Sequence, residues 1–428
     1  MLLLKKYNAK TLDIQNHILS KINSLMIAIL LTSNFITQIF ASLEVINENL
    51  LPIIFIVSLL GSYFTAIILG YKFNTLSKQS IIFLYFIFIV FIVTFLIQGT
   101  NSYVSQYFIE FIAFGVIIFM LTVLPFSSTT IIIFTMHIGN LILINPFGFA
   151  DFISLDALYD RVEMGASYSM LPSVVATIIY FFFIRKNYRS KISIISYFSN
   201  GYMLYLLITE GTRGAVLATF ILLLFVLYIK ITYKSNMKYK YFISSGILIL
   251  TLISLVIIVF NLKAILLWIN KTLQGIGFES ATIIKTLSMI EGEGWIGILN
   301  SRNLLYEDAF QLFVESPLWG HGIGSYANIY NGIYPHNLFL QLLVEGGILF
   351  VIPFTIILIF CFWLLIKPWS HNSSEIKLLI LMLFIISVPR LMFSSYLWHN
   401  QAFWLLIFVY LTKCKTIAKF KVKFKTGN

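Results

Sequence analysis

The chain has 428 residues, 59% of them hydrophobic and only 11% charged, with a mean hydropathy of +0.92. Soluble domains carry about a quarter charged residues, so this composition excludes a water-soluble globular fold and points to a polytopic membrane protein. The net charge of +12 would suit nucleic acid, but the lysines and arginines sit between apolar runs, where they orient a chain in a bilayer.

The apolar runs are about twenty residues long and uninterrupted, which suits membrane-crossing helices and not the alternating strands of a barrel. They fall at 22–40, 50–70, 80–97, 104–124, 127–145, 165–184, 192–209, 213–230, 241–262, 346–366, 376–393 and 397–412. The expected fold is therefore all-α and polytopic, with about twelve spans. The first run follows Lys5, Lys6, Lys10 and Lys21. It is too long for a signal-peptide core and lacks a small-residue cleavage site, so it reads as a retained span. Cys361 and Cys414 form neither a disulfide framework nor a CxxC metal motif.

Placing the N-terminus in the cytoplasm and alternating puts 22 of the 29 lysines and arginines inside. Only Asp13 and Glu375 among the acids join them. One helix too many or too few early in the chain would destroy this separation. The chain then divides into nine spans over 1–262, a long extracytoplasmic loop with an amphipathic helix over 263–336, three spans over 337–412, and a basic cytoplasmic tail over 413–428. The tail reads as a topology signal against anionic headgroups, not as a nucleic-acid arm.

Two outer loops are long. One, 146–164, carries Asp151, Asp156, Asp160, Arg161 and Glu163. Beyond it, "TEGTRGAVLATF" puts Arg213 at the outer end of a span. An arginine so close to hydrocarbon marks a functional site by default, and Gly211 and Gly214 allow close approach. The competing reading is an ion pair with Glu210. In the second loop, Leu305, Ala309, Leu312 and Phe313 form the stripe of an amphipathic helix that opens at Arg302 behind Ser301 and stops at Ser316–Pro317. A cation there opposes the helix dipole unless an anion binds. The competing reading is a pair with Glu307. "GHGIG", Gly320 to Gly324, reads as a tight turn, with His321 at the surface.

"IYPHNLFLQLLVEGG" places His336 before an apolar run that Glu345, Gly346 and Gly347 interrupt. From Asn337 to Ile366 a single helix would measure about 45 Å, longer than the hydrocarbon core of about 30 Å. Either its first turns stand above the bilayer or it breaks near the glycines. Both put His336 at a helix start near the membrane surface, where an imidazole can take a proton. The rival bases are Glu307, Asp308 and Glu345. His321, His336 and His399 lack ligand spacing, so neither a metal site nor a cofactor is expected.

Taken together, the arginine of "TRGA", the arginine that opens the long-loop helix, "PLWGHGIGSY" and "PHNLFLQLLVEGG" resemble the O-antigen polymerase and O-antigen ligase superfamily. The resemblance implies a GT-C-like helical fold in the bacterial inner membrane. It implies glycan transfer from undecaprenyl pyrophosphate on the outer face, independent of metal, with membrane lipid and a chain-length regulator protein as partners. Arg213 and Arg302, with Arg161, would bind the pyrophosphate, and His336 would act on the acceptor hydroxyl. Polymerase is favoured over ligase as the more common member type, because nothing marks a lipid A-core acceptor. A flippase would show internal repeats and midplane charges, and neither is visible.

The topology yields a direct test. A cysteine at Gln274 should react with an impermeant thiol reagent in intact spheroplasts, and one at Ser235 should not. The reverse pattern would invert the chain.

Overall fold

A computed structural model describes residues 2–44, 50–71, 77–99, 102–156, 163–185, 191–234, 246, 261–275, 277, 280–298, 302–367 and 374–423. Every regular element among them is helical. Among the described residues, nine helices are long and apolar enough to cross a membrane, and two shorter apolar ones, Ser128–Ile144 and Gln401–Lys413, accompany them. The chain is thus an all-α polytopic membrane protein. The span expected at 241–262 lies almost wholly outside the described residues.

The first span differs from expectation. The 22–40 window resolves into Leu2–Leu31 and Ser33–Ala41, and the apolar spanning part is Asp13–Leu31. Thr32, Ser33 and Asn34 end the first rod, with the Thr32 hydroxyl donating back to the Ala28 carbonyl at 2.8 Å. A hydropathy average runs across these three polar residues without registering them. The 104–145 region resolves cleanly. Ser102–Glu110, a π-helical segment Phe111–Val116, and Ile117–Val123 follow one another, and a turn at Pro125 separates them from Ser128–Ile138. Asn23 Nδ2 fastens that turn by donating to the Leu121 and Pro125 carbonyls at 3.0 and 3.1 Å.

The core is aromatic. Phe91, Phe111, Trp398 and Trp404 pack together with centroids 4.7–6.0 Å apart. Such contacts add roughly 0.5–1.5 kcal/mol per pair beyond burial. By contrast, Leu50–Ile68 and Lys78–Gln98 keep Leu60, Phe64, Ile82 and Leu96 exposed, the side chains of a lipid-facing surface.

The long loop carries Leu262–Gly275, Ala281–Ile298, Arg302–Glu315 and the short Ser325–Ile329. Ala309 and Leu312 bury the stripe of Arg302–Glu315 against Tyr326 and Val344. The helix stops at Glu315, as Ser316–Pro317 suggested.

Helix Leu338–Ile366 bends at Gly347, whose φ of 64° and ψ of −163° are open essentially to glycine alone. The nineteen residues beyond it, Ile348 to Ile366, rise about 29 Å, the thickness of a hydrocarbon core. Backbone groups freed by the bend are taken up by the glycine loop. His321 N donates to the Val344 carbonyl at 2.7 Å and Gly322 N to the Glu345 carbonyl at 2.8 Å. In return, Ile348 N donates to the Pro317 carbonyl at 2.9 Å. The "GHGIG" segment is therefore more than a turn. It is the second half of a backbone seam, and Gly320, Gly322 and Gly324 all take positive φ to form it. His321 closes the loop, its Nε2–H donating to the Leu312 carbonyl at 2.6 Å.

A Cβ on Gly347 would collide with the Leu318 carbonyl, and one on Gly320 with the backbone of Glu345 and Gly346. Gly347→Ala and Gly320→Ala should each lose on the order of 1–3 kcal/mol or more, read as a lower thermal midpoint in detergent. An unchanged midpoint in both would mean that the seam is not a stability element.

Candidate functional site

Asn337 starts the bent helix. Its Oδ1 accepts from Phe339 N at 3.0 Å and Leu340 N at 3.2 Å, satisfying two of the donors that a helix start leaves open. His336, one residue earlier, takes a left-handed φ of 53°. This uncommon conformation for a side-chain-bearing residue turns its ring onto Tyr334, with centroids 4.1 Å apart. His336 Nδ1 is buried with no partner among the described residues. Burial first, and the Arg302 charge second, push the imidazole down to about 4. Near neutral pH it is an uncharged base.

Arg302 is the first residue of its helix, as expected, and Arg213 the first of helix Arg213–Lys234. Their charges are close enough to repel. The start of the Arg213 helix is pinned by its neighbours. Thr212 N donates to Ser167 Oγ at 3.0 Å, and Gly214 admits the Tyr168 hydroxyl so closely that a Cβ there would collide with it. Gly211 lies against the Leu207 carbonyl in the same way. The glycines of "TEGTRG" thus serve close packing around an arginine, the role expected of them.

Three of the four sequence-derived candidates, Arg213, Arg302 and His336, lie at one end of the bundle, within electrostatic reach in the order given. The fourth, Arg161, falls outside the described residues, as does Ser301, the residue before Arg302. Glu345 was a rival base. Its carboxylate is 2% exposed and already accepts from Gln341 Nε2 at 3.0 Å, Trp398 Nε1 at 3.1 Å and Gly324 N at 3.4 Å. Those bonds make it a buried structural acceptor.

Sequence reasoning missed a second group. Tyr168 Oη lies 3.1 Å from Ser394 Oγ, and Tyr334 Oη donates to the Ser394 carbonyl at 3.2 Å. Above the Tyr168 ring, 5.4 Å from its centre, lies the guanidinium of Arg390. Arg390 and Arg302 both act on the two tyrosine hydroxyls. The signal was present: "SVPRLMF" ends an apolar run with an arginine on the same side as Arg213, and the rule that flagged Arg213 applies equally to it. Tyr396 extends the cluster, its ring 5.0 Å from Tyr334 and its hydroxyl donating to Glu110 Oε1 at 2.7 Å.

Such a cluster can hold an anion with several negative charges and present it to a neutral imidazole. Residues 198–355 match the family model described as O-antigen ligase. No curated protein matches the chain. The match spans Arg213, Arg302, the glycine loop, His336 and the bend; Tyr168, Arg390 and Tyr396 lie outside it. The matched stretch, 158 of the 428 residues, is similar to that family.

The His336 ring should titrate near 4 in the free protein, against about 6.5 in an unfolded chain. Between those values the unfolded chain binds the extra proton, so this histidine costs stability as pH falls from 6.5 towards 4 and nothing above. An anion placed against Arg302 should raise the midpoint. Nitrogen NMR of labelled histidine, with and without inorganic pyrophosphate, measures both. A midpoint near 6.5 that pyrophosphate does not move would put the ring in solvent, away from Arg302.

Proposed function

We propose that this protein is a polymerase that joins undecaprenyl-pyrophosphate-linked oligosaccharide repeat units of O-antigen or a related surface polysaccharide. The reaction takes place on the outer face of the bacterial inner membrane, with both termini in the cytoplasm. The observation that carries this reading is the pairing of arginines at two helix starts with a half-buried, uncharged imidazole.

The chemistry follows from the charges. The acceptor hydroxyl attacks the anomeric carbon of the donor, and its proton passes to the unpartnered Nδ1 of His336. The bond from the anomeric carbon to the diphosphate breaks, and its electron pair goes to the phosphate oxygen. Arg213 and Arg302 hold the diphosphate through planar forks that match phosphate oxygens. Preorganised donors of this kind stabilise charge as it develops. A base depressed to about 4 is weak in the free protein. Donor binding places negative charge against Arg302 and strengthens it, so the base becomes competent when the donor arrives.

A second reading has its own support, since the matching family model is described as O-antigen ligase. A ligase would transfer finished glycan to an acceptor such as lipid A-core. The lipopolysaccharide of a deletion strain separates the two. One repeat unit on the core means polymerase; naked core with accumulated lipid-linked polymer means ligase.

His336→Ala should lower turnover on the order of 10²–10⁴-fold while donor binding persists, because tail and diphosphate contacts do not need the imidazole. Arg213→Lys and Arg302→Lys should lose most activity although charge is kept. Purified enzyme and lipid-linked repeat units allow binding and turnover to be measured separately. Near-normal turnover in His336→Ala removes it as the base, and wild-type polymer from both lysine variants reduces the arginines to topology signals.

A further inference from the structure

Arg390 belongs to helix Ser374–Phe393, beyond the family match and outside every motif of the sequence analysis. Its place in the last turn suits the helix dipole, which explains why a cation is tolerated there. It does not explain what the guanidinium is for. Arg390 Nε is buried without an acceptor among the described residues. No carboxylate lies within ion-pair distance of the group among the described residues. Arg390 also lines a polar cavity of about 10 Å³ with Asn400 and Gln401, and Asn400 Nδ2 and Gln401 Oε1 lack partners among the described residues too. Leaving a partly buried cation without a counter-charge carries a cost.

The side chain is tied to the candidate site by contact. It lies over Tyr168, Tyr168 and Tyr334 meet at Ser394, and Tyr334 carries the His336 ring. Arg302 acts on the same two tyrosines from the other side.

We propose that Arg390 is a third guanidinium of the diphosphate site, and that it stabilises the negative charge that appears on the leaving group as the glycosidic bond breaks. This rests on the donor assigned above. In the intact donor the diphosphate is esterified at both ends and carries two negative charges, which Arg213 and Arg302 match. When the anomeric carbon–oxygen bond breaks, its electron pair stays on the phosphate oxygen and a third charge develops. The acceptor proton goes to His336, so it does not cancel that charge. Two arginines suit the ground state, and a third suits the transition state and the released lipid diphosphate. An interaction made only as the bond breaks raises the rate without tightening substrate binding.

The test uses the full-length protein in nanodiscs, with single-turnover transfer and donor affinity measured independently. Arg390→Gln should slow transfer on the order of 10²–10³-fold, the usual cost of removing one preorganised donor, with donor affinity within about threefold of wild type. Inorganic pyrophosphate and free lipid diphosphate, as competitors, should weaken about tenfold or more. Arg390→Lys, which keeps the charge over Tyr168, should lose less rate than Arg390→Gln, and it decides the matter should Arg390→Gln fail to fold. Wild-type transfer rates in both variants would overturn the proposal. Equal losses of donor affinity and rate would overturn it too, since Arg390 would then bind ground and transition states alike. If the wild-type protein binds neither the donor nor lipid diphosphate, the underlying functional reading fails instead.

Discussion

A bilayer offers no water to an opened backbone, and the bend at Gly347 opens one. The rest of the candidate site depends on how that opening is closed. The Pro317–Gly322 strip exchanges hydrogen bonds with both sides of the bend, so the long loop is fastened to the membrane helix through main chain and not through side chains alone. Glu345, at the bend, then accepts from Gly324, Gln341 and Trp398. Gln341 in turn accepts from Leu397 N at 3.0 Å. The polar spine therefore runs from the loop, through the bend, into the 394–400 segment, where Ser394 holds Tyr168 and Tyr334. Arg302, His336 and Arg390 come from three separate stretches of sequence, and this spine fixes them relative to one another.

The electrostatics follow from that geometry. Arg213 and Arg302 head their helices, where the dipole disfavours a cation and favours an anion. Their mutual repulsion adds to the cost of leaving the cluster empty. Tyrosines line it: Tyr168, Tyr334 and Tyr396 offer rings and hydroxyls, and Tyr396 donates to the Glu110 carboxylate. A carboxylate would neutralise an arginine permanently. A ring supports the guanidinium through its π face and leaves the forked donors available for a ligand.

Much of this was legible in the sequence because membrane helices announce themselves by unbroken apolarity, and arginines at their ends stand out against it. Arg213 was found that way, Arg302 at the start of an amphipathic loop helix, and His336 ahead of an apolar run that glycines interrupt. The seam was not legible. Periodicity shows that Gly346 and Gly347 interrupt a helix, and spacing shows that Gly320, Gly322 and Gly324 make a tight turn, but neither shows that the two interruptions satisfy each other. The partners of Glu345 were not legible for the same reason, since its donors come from residues 324, 341 and 398. Arg390 was not singled out, although the rule that flagged Arg213 applies to it, because no glycines mark a close approach around it as they do around Arg213. The first span was displaced because averaging hides a short polar hinge such as Thr32–Asn34.

The position of His336 carries one more consequence under the proposed reaction. Arg302 both binds the donor and depresses the imidazole. A single charge therefore couples two events: the anion that satisfies Arg302 also relieves its repulsion of a proton on His336. Before donor binding, the ring is neutral but a poor proton acceptor, and water at the site gains little help from it. After binding, the same ring faces a diphosphate whose negative charge stabilises an imidazolium. Base strength then rises only when there is a bond to break. The Tyr334 contact and the left-handed backbone at His336 hold the ring within reach of the Arg302 charge, and Nδ1 is left buried without a partner among the described residues.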